Sequence, residues 1–74
     1  MPMYYFHIHS SDGTVVDDEG EEFADMAAVR EEAVTAVREI VADGLRSGKG
    51  PNGREMRVAD DTGKPVLTLP FRDA

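Results

Sequence analysis

One stretch of this 74-residue chain repeats its apolar residues at helical steps, and it is long. From Met26 to about Arg46, the residues Met26, Val29, Ala33, Val37, Ile40 and Gly44 recur three or four apart, and Val34 and Val41 widen the stripe. Glu31, Glu32, Arg38, Glu39 and Asp43 fall on the opposite side. A lone amphipathic helix cannot bury its own stripe, so the rest of the chain must supply an apolar surface for it. Asp25 offers a side-chain oxygen to the first unpaired N–H groups and is the expected N-cap.

That surface is legible on either side of the helix as alternating strands. In Met3 to His9, Tyr4, Phe6 and Ile8 point one way and Met3, Tyr5, His7 and His9 the other, because strand side chains have period two. Ser11-Asp12-Gly13 reads as a turn, and Thr14-Val15-Val16 as a short second strand of a hairpin. After the helix, Ser47 to Gly53 is a breaker-rich connector. Glu55 to Asp60 alternates again, with Met56 and Val58 on one side and Glu55, Arg57 and Ala59 on the other. Asp61-Thr62-Gly63 turns the chain, and Pro65 to Phe71 forms a fourth strand, with Pro70 at a strand end or sheet edge. The expected fold is α+β: a small antiparallel sheet of about four strands with one helix on one face, in the order ββαββ, over residues 1–74 as a single domain.

One helix covers only one face of such a sheet. The helix-facing set is expected to be Tyr4, Phe6, Ile8, Met56, Val58, Leu67, Leu69 and Phe71. The other face then carries Met3, Tyr5, His7, His9, Arg57, Ala59, Val66 and Thr68. Its mixture of aromatic, basic and small residues is common at interaction surfaces.

Composition removes several function classes. Fifteen acidic against eight basic residues give a net charge of −7, which repels phosphate backbones and anionic membranes at long range. No apolar run approaches the roughly 20 residues of a membrane span, and no basic-then-apolar leader precedes the first strand. Zero cysteines exclude disulfides, thiolate metal sites and a cysteine nucleophile, and fit a reducing compartment. No nucleic-acid partner, no membrane and a cytoplasmic location are the expectations.

His7 and His9 lie on one strand face, roughly 7 Å apart at Cα. Such a pair holds a divalent ion only when further ligands converge, and Asp17 or Asp18 is nearest in sequence. The bland reading, two half-exposed strand histidines, is favoured because a two-ligand pattern is unspecific. Asp17 to Glu22, DDEGEE, lacks the ligand spacing of a calcium loop and reads as a solvated run beside the helix N-terminus. Gly48 to Arg54 follows a helix instead of opening one, so it reads as a connector and not as a phosphate cradle. Arg54, Arg57, Lys64 and Arg72 form the one local basic cluster, which cross-strand pairing with Glu55, Asp60 and Asp61 accounts for. Ser10 and Ser11 near His9 lack a nucleophile elbow and an orienting third group. No catalytic residue and no cofactor are expected.

The opening MPMYYFHIH, the DDEGEEFAD lead into an Ala-rich helix and the closing RVADDTGKPVLTLPFRD together resemble a family of small bacterial domains of unknown function. Its members begin MPRYYFH, continue through an acidic D-x-EG-x-E segment and end near a TLPF-like strand. The resemblance implies a compact ββαββ domain, usually standing alone, and no established activity. His7 and the acidic segment match the pattern. Met3 and His9 depart from it, since members often carry Arg at both places, which argues against a family-wide His7–His9 metal pair. The functional expectation is a small interaction or regulatory module, homo-oligomeric or docking another protein through Tyr5, His7, His9, Arg57 and Thr68. The alternative is a small-ligand or divalent-metal module using the His7/His9 face.

Overall fold

The structure is a computed structural model that describes residues 2–46 and 53–73. Helix α1 spans Met26–Arg46 and begins at the expected cap. The Asp25 carboxylate accepts the Ala28 N–H at 2.9 Å, and the Asp25 carbonyl accepts the Val29 N–H at 3.3 Å, so the first helical turn is closed at both ends. Val29, Ala33 and Val37, at successive four-residue steps, are fully buried, with Ala36, Ile40 and Val41 packed at the margin of the core. Met26 belongs to the same stripe by spacing yet stays 38% exposed. It is the first helical residue, and helical side chains lean toward the N-terminus, which carries it past the edge of the core.

Beneath the helix lies an antiparallel sheet of β1 (Met3–Ser10), β2 (Gly13–Val15), β3 (Glu21–Glu22), β4 (Glu55–Asp60) and β5 (Pro65–Pro70). The order is β2-β1-β4-β5, with β3 also paired to β1. Because β4 occupies one edge of β1 from Tyr4 to His9, β2 and β3 must share the other. The two inner strands carry the core: Tyr4, Met56 and Val58 are buried against Val29, Ala33 and Val37, and the register sets Phe6 opposite Val58 and Ile8 opposite Met56. Prolines at both ends of β5 remove N–H groups from an outer strand, one of the ways chains blunt a sheet edge.

The structure adds three features to the expected outline. The fifth strand, β3, is two residues long, too short to show a period. Behind it Phe23 sets its ring against Tyr4, with centroids 6.1 Å apart at 61°, and against Phe6 at 5.6 Å, so the lead-in to the helix is an aromatic wedge. Second, Phe71 does not end the last strand. It opens a 3-10 turn, Phe71–Asp73, and is 2% exposed, its N–H held by the Arg54 carbonyl at 3.0 Å. Third, Val66 packs against the core alongside Leu67 and Leu69, not on the far face where strict alternation puts it. Val58 pairs with Leu67 but Ala59 with Pro65, and a bulge of this kind re-aims one side chain. The connector from Ser47 to Asn52, with the Gly48–Asn52 part of the stretch considered as a phosphate cradle, lies outside the described residues.

The β4–β5 hairpin closes on Asp60. Its carbonyl accepts the Gly63 N–H at 3.0 Å, and its carboxylate accepts from the Thr62 N–H, the Thr62 hydroxyl and the Lys64 N–H at 2.9, 2.6 and 3.0 Å. Gly63, at φ 86°, supplies the left-handed residue that a three-residue hairpin of this type requires.

Candidate functional site

The uncovered face of the sheet is built by register. His7 lies opposite Arg57 and Arg57 opposite Thr68, which makes one row across β1, β4 and β5. Tyr5 lies opposite Ala59 and His9 opposite Glu55, above and below that row. All five side chains expected on this face, Tyr5, His7, His9, Arg57 and Thr68, therefore stand on neighbouring positions. Arg57 and Thr68 are exposed, while Tyr5, His7 and His9 are half-buried. The Arg57 Nε donates to Glu55 Oε2 at 2.7 Å, a pair along one strand with half of the arginine side chain in solvent, of a type that contributes about 0–1 kcal/mol.

What half-buries the aromatic end is the acidic loop. Going back four residues on β1, from Ile8 to Tyr4, advances the partner chain by six, from Val15 to Glu21, so two extra residues bulge between β2 and β3. At that gap the Phe6 N–H has no ladder acceptor, and Asp17 Oδ2 takes its place at 3.0 Å. The Asp17 N–H in turn donates to His7 Nδ1 at 3.0 Å. Asp17 Oδ1 gathers the Glu19 and Gly20 N–H groups, both at 3.2 Å. Gly20 then lies so close to the Tyr5 ring that a Cβ there would sit 2.7 Å from Tyr5 Cε2 and 3.1 Å from Met3 Cε.

The acidic run, expected to be solvated, is so at four of its six positions. Asp18 and Glu19 are exposed, but Asp17 and Gly20 clip the loop onto the sheet. Partial burial pushes the Asp17 carboxyl up. The N–H groups of Phe6, Gly20 and Glu19, together with the nearby His7, outweigh that and hold it below its ordinary value.

These bonds also settle what the histidines offer. His7 Nδ1 accepts from a backbone N–H, so its proton sits on Nε2 when the ring is neutral. His9 Nδ1 lies 2.8 Å from the hydroxyl of its cross-strand neighbour Thr14. The Asp17 carboxylate, the nearest candidate third ligand in sequence, is turned to the backbone of Phe6 and not to the imidazoles. Among the described residues no three His, Asp or Glu side chains gather as a metal-binding group, and no helix is long and apolar enough to cross a membrane. The roles of Asp17 and Gly20 went unread in the sequence. Their one local signal is the spacing Asp17-x-x-Gly20, an acceptor followed three residues on by a residue free to turn.

One helix on one face of a five-stranded antiparallel sheet, with a clipped acidic loop on the other, defines a small α+β domain. The chain belongs to the family described as domain of unknown function DUF6894, whose model matches residues 3–72. The resemblance read from its two ends and its acidic segment is borne out at the level of the family. No curated protein and no solved structure matches it significantly.

Proposed function

We propose that this chain is a non-catalytic interaction module of the bacterial cytoplasm that pairs with a second copy of itself through the open part of its sheet face. The observation that carries this reading is the His7–Arg57–Thr68 row, which stands opposite the helix and of which the clipped loop leaves Arg57 and Thr68 exposed. A second copy suits the face because Glu55 and Arg57, paired on it at 2.7 Å, are self-complementary. A two-fold axis sets the Arg57 of each copy against the Glu55 of the other. Size adds a motive: a chain this short buries only roughly 60% of its unfolded surface, so covering the face brings a gain that a larger domain does not need. The absence of cysteine accords with a reducing cytoplasm.

Sedimentation equilibrium tests the reading. The salt should be about 0.15 M, where charges more than about 8 Å apart are largely screened, because each copy carries −7. A dimer mass at micromolar concentration is expected. The double variant Arg57→Glu, Thr68→Glu, at two exposed positions, should raise the dissociation constant at least about tenfold. A monomer at high micromolar concentration, or a variant that dimerises like the parent, refutes pairing through this face.

A further inference from the structure

The two edges of the sheet are finished differently. β5, at one end of the order, carries Pro65 and Pro70, and proline blunts an edge because it offers no N–H. β2, at the other end, carries neither proline nor lysine, and among the described residues no strand lies outside it. The register shows which of its groups face out. The Phe6 N–H points to the β2 side of β1, where Asp17 takes it. Strand N–H and C=O groups alternate in direction, so Ile8 and Ser10 point the same way, and their partners Val15 and Gly13 point back at them. Thr14, between those two, turns its N–H and C=O away from the sheet. Side chains are open there as well, with Val15 66% and Val16 64% exposed. Outward backbone groups beside exposed valines make a template for an added strand.

Charge decides the occupant. The first 29 residues contain no lysine or arginine and seven of the fifteen acidic residues. Asp12 immediately precedes β2, and Asp18 and Glu19 follow it within four residues, all three exposed. A second copy laid along β2 would set these carboxylates against their own kind, which a specific edge uses to reject a partner. We propose that β2 takes, as an added strand, an extended segment of a partner protein with an apolar centre and lysine or arginine at its ends. Backbone bonds to Thr14 give affinity, and the valines and the flanking carboxylates give the choice of segment. β2 is three residues long, so the apolar centre is equally short. β1 and β4 separate this edge from Thr68 on β5, so strand addition uses a different surface from pairing through the sheet face.

The test is amide NMR on the isotopically labelled full chain, at about 0.15 M salt so that distant charges are screened. The probe is the acetylated, amidated peptide Lys-Lys-Val-Thr-Val-Lys-Lys. A second peptide carries N-methyl groups on its Val, Thr and Val, which keeps the charge and removes the ladder donors. A third replaces every lysine by glutamate. Saturating shifts centred on Gly13 to Val16 are expected from the first peptide, with a dissociation constant in the millimolar range or tighter. The other two should bind at least about tenfold more weakly. The double variant Asp18→Lys, Glu19→Lys should weaken the first peptide by a similar factor. Both side chains are exposed, and the Glu19 bond to Asp17 is made by its backbone N–H, so the melting temperature should stay put. An N-methylated peptide that binds as well as the first overturns strand addition, and a glutamate peptide that does so overturns the cationic occupant. Shifts that never saturate or that centre elsewhere, or a double variant that binds like the parent, overturn the site.

Discussion

Two glycines in left-handed backbone separate two costs that are usually confounded. Gly20, at φ 72°, and Gly63, at φ 86°, both occupy a region where a side chain strains the backbone by about 1–2 kcal/mol. A Cβ on Gly63 meets nothing within 4 Å, whereas on Gly20 it lands 2.7 Å from the Tyr5 ring. Gly63→Ala should therefore cost only the backbone strain, and Gly20→Ala should cost more by about 1–3 kcal/mol, the usual range for overpacking. Urea unfolding of the two variants side by side checks this, and equal losses would show that Tyr5 yields freely. The turn at Asp61-Thr62-Gly63 was legible in the sequence, and the structure puts its positive φ at Gly63. The contact at Gly20 was not, because Tyr5 is fifteen positions away and meets it only after β1 and the loop have folded together.

Among elements, α1 was the most legible, since a period of three to four sustained over twenty-one residues has no other reading. Its start rests on Asp25, and Asp25→Ala should destabilise the domain by about 1 kcal/mol, while Asp25→Asn, which keeps an acceptor oxygen, should restore most of that. Thermal melts of the two variants decide it, and a silent Asp25→Ala would mean that Phe23, wedged between Tyr4 and Phe6, sets the helix start by itself. The strands were legible to within a residue or two where they alternate. They were illegible where they do not: β3 is two glutamates, and the bulge opposite Val58 and Ala59 turns Val66 inward against its own period. Local sequence carries no mark of either, because both arise from the mismatch of one strand's register against another.

For the whole molecule, the carboxylates of Asp17 and Asp60 tie stability to pH. The Thr62 hydroxyl, with the N–H groups of Lys64 and Thr62, outweighs desolvation at Asp60 and holds it below its ordinary value of 3.8, and Asp17 is lowered too. A carboxyl whose folded value lies below its unfolded one contributes stability that is present above the unfolded value and is lost as pH falls through the folded one. The melting temperature should therefore hold level from neutral pH to about pH 5 and fall below about pH 4. Asp17→Asn should lie lower at neutral pH and fall less steeply in acid. Parallel curves for the two proteins would mean that the Asp17 clip makes no difference to folding. At this scale the division between sequence and structure is plain. Period and turn residues determined that one helix covers one face of an antiparallel sheet, and that Tyr5, His7 and His9 share one side of β1, because side-chain direction is a local property of the backbone; the register between strands set Arg57 and Thr68 beside them. Tertiary structure decided how much of that face stays open and that Phe71 turns into the core with the Arg54 guanidinium over its ring. Both depend on contacts between residues far apart in the chain, which no local period records.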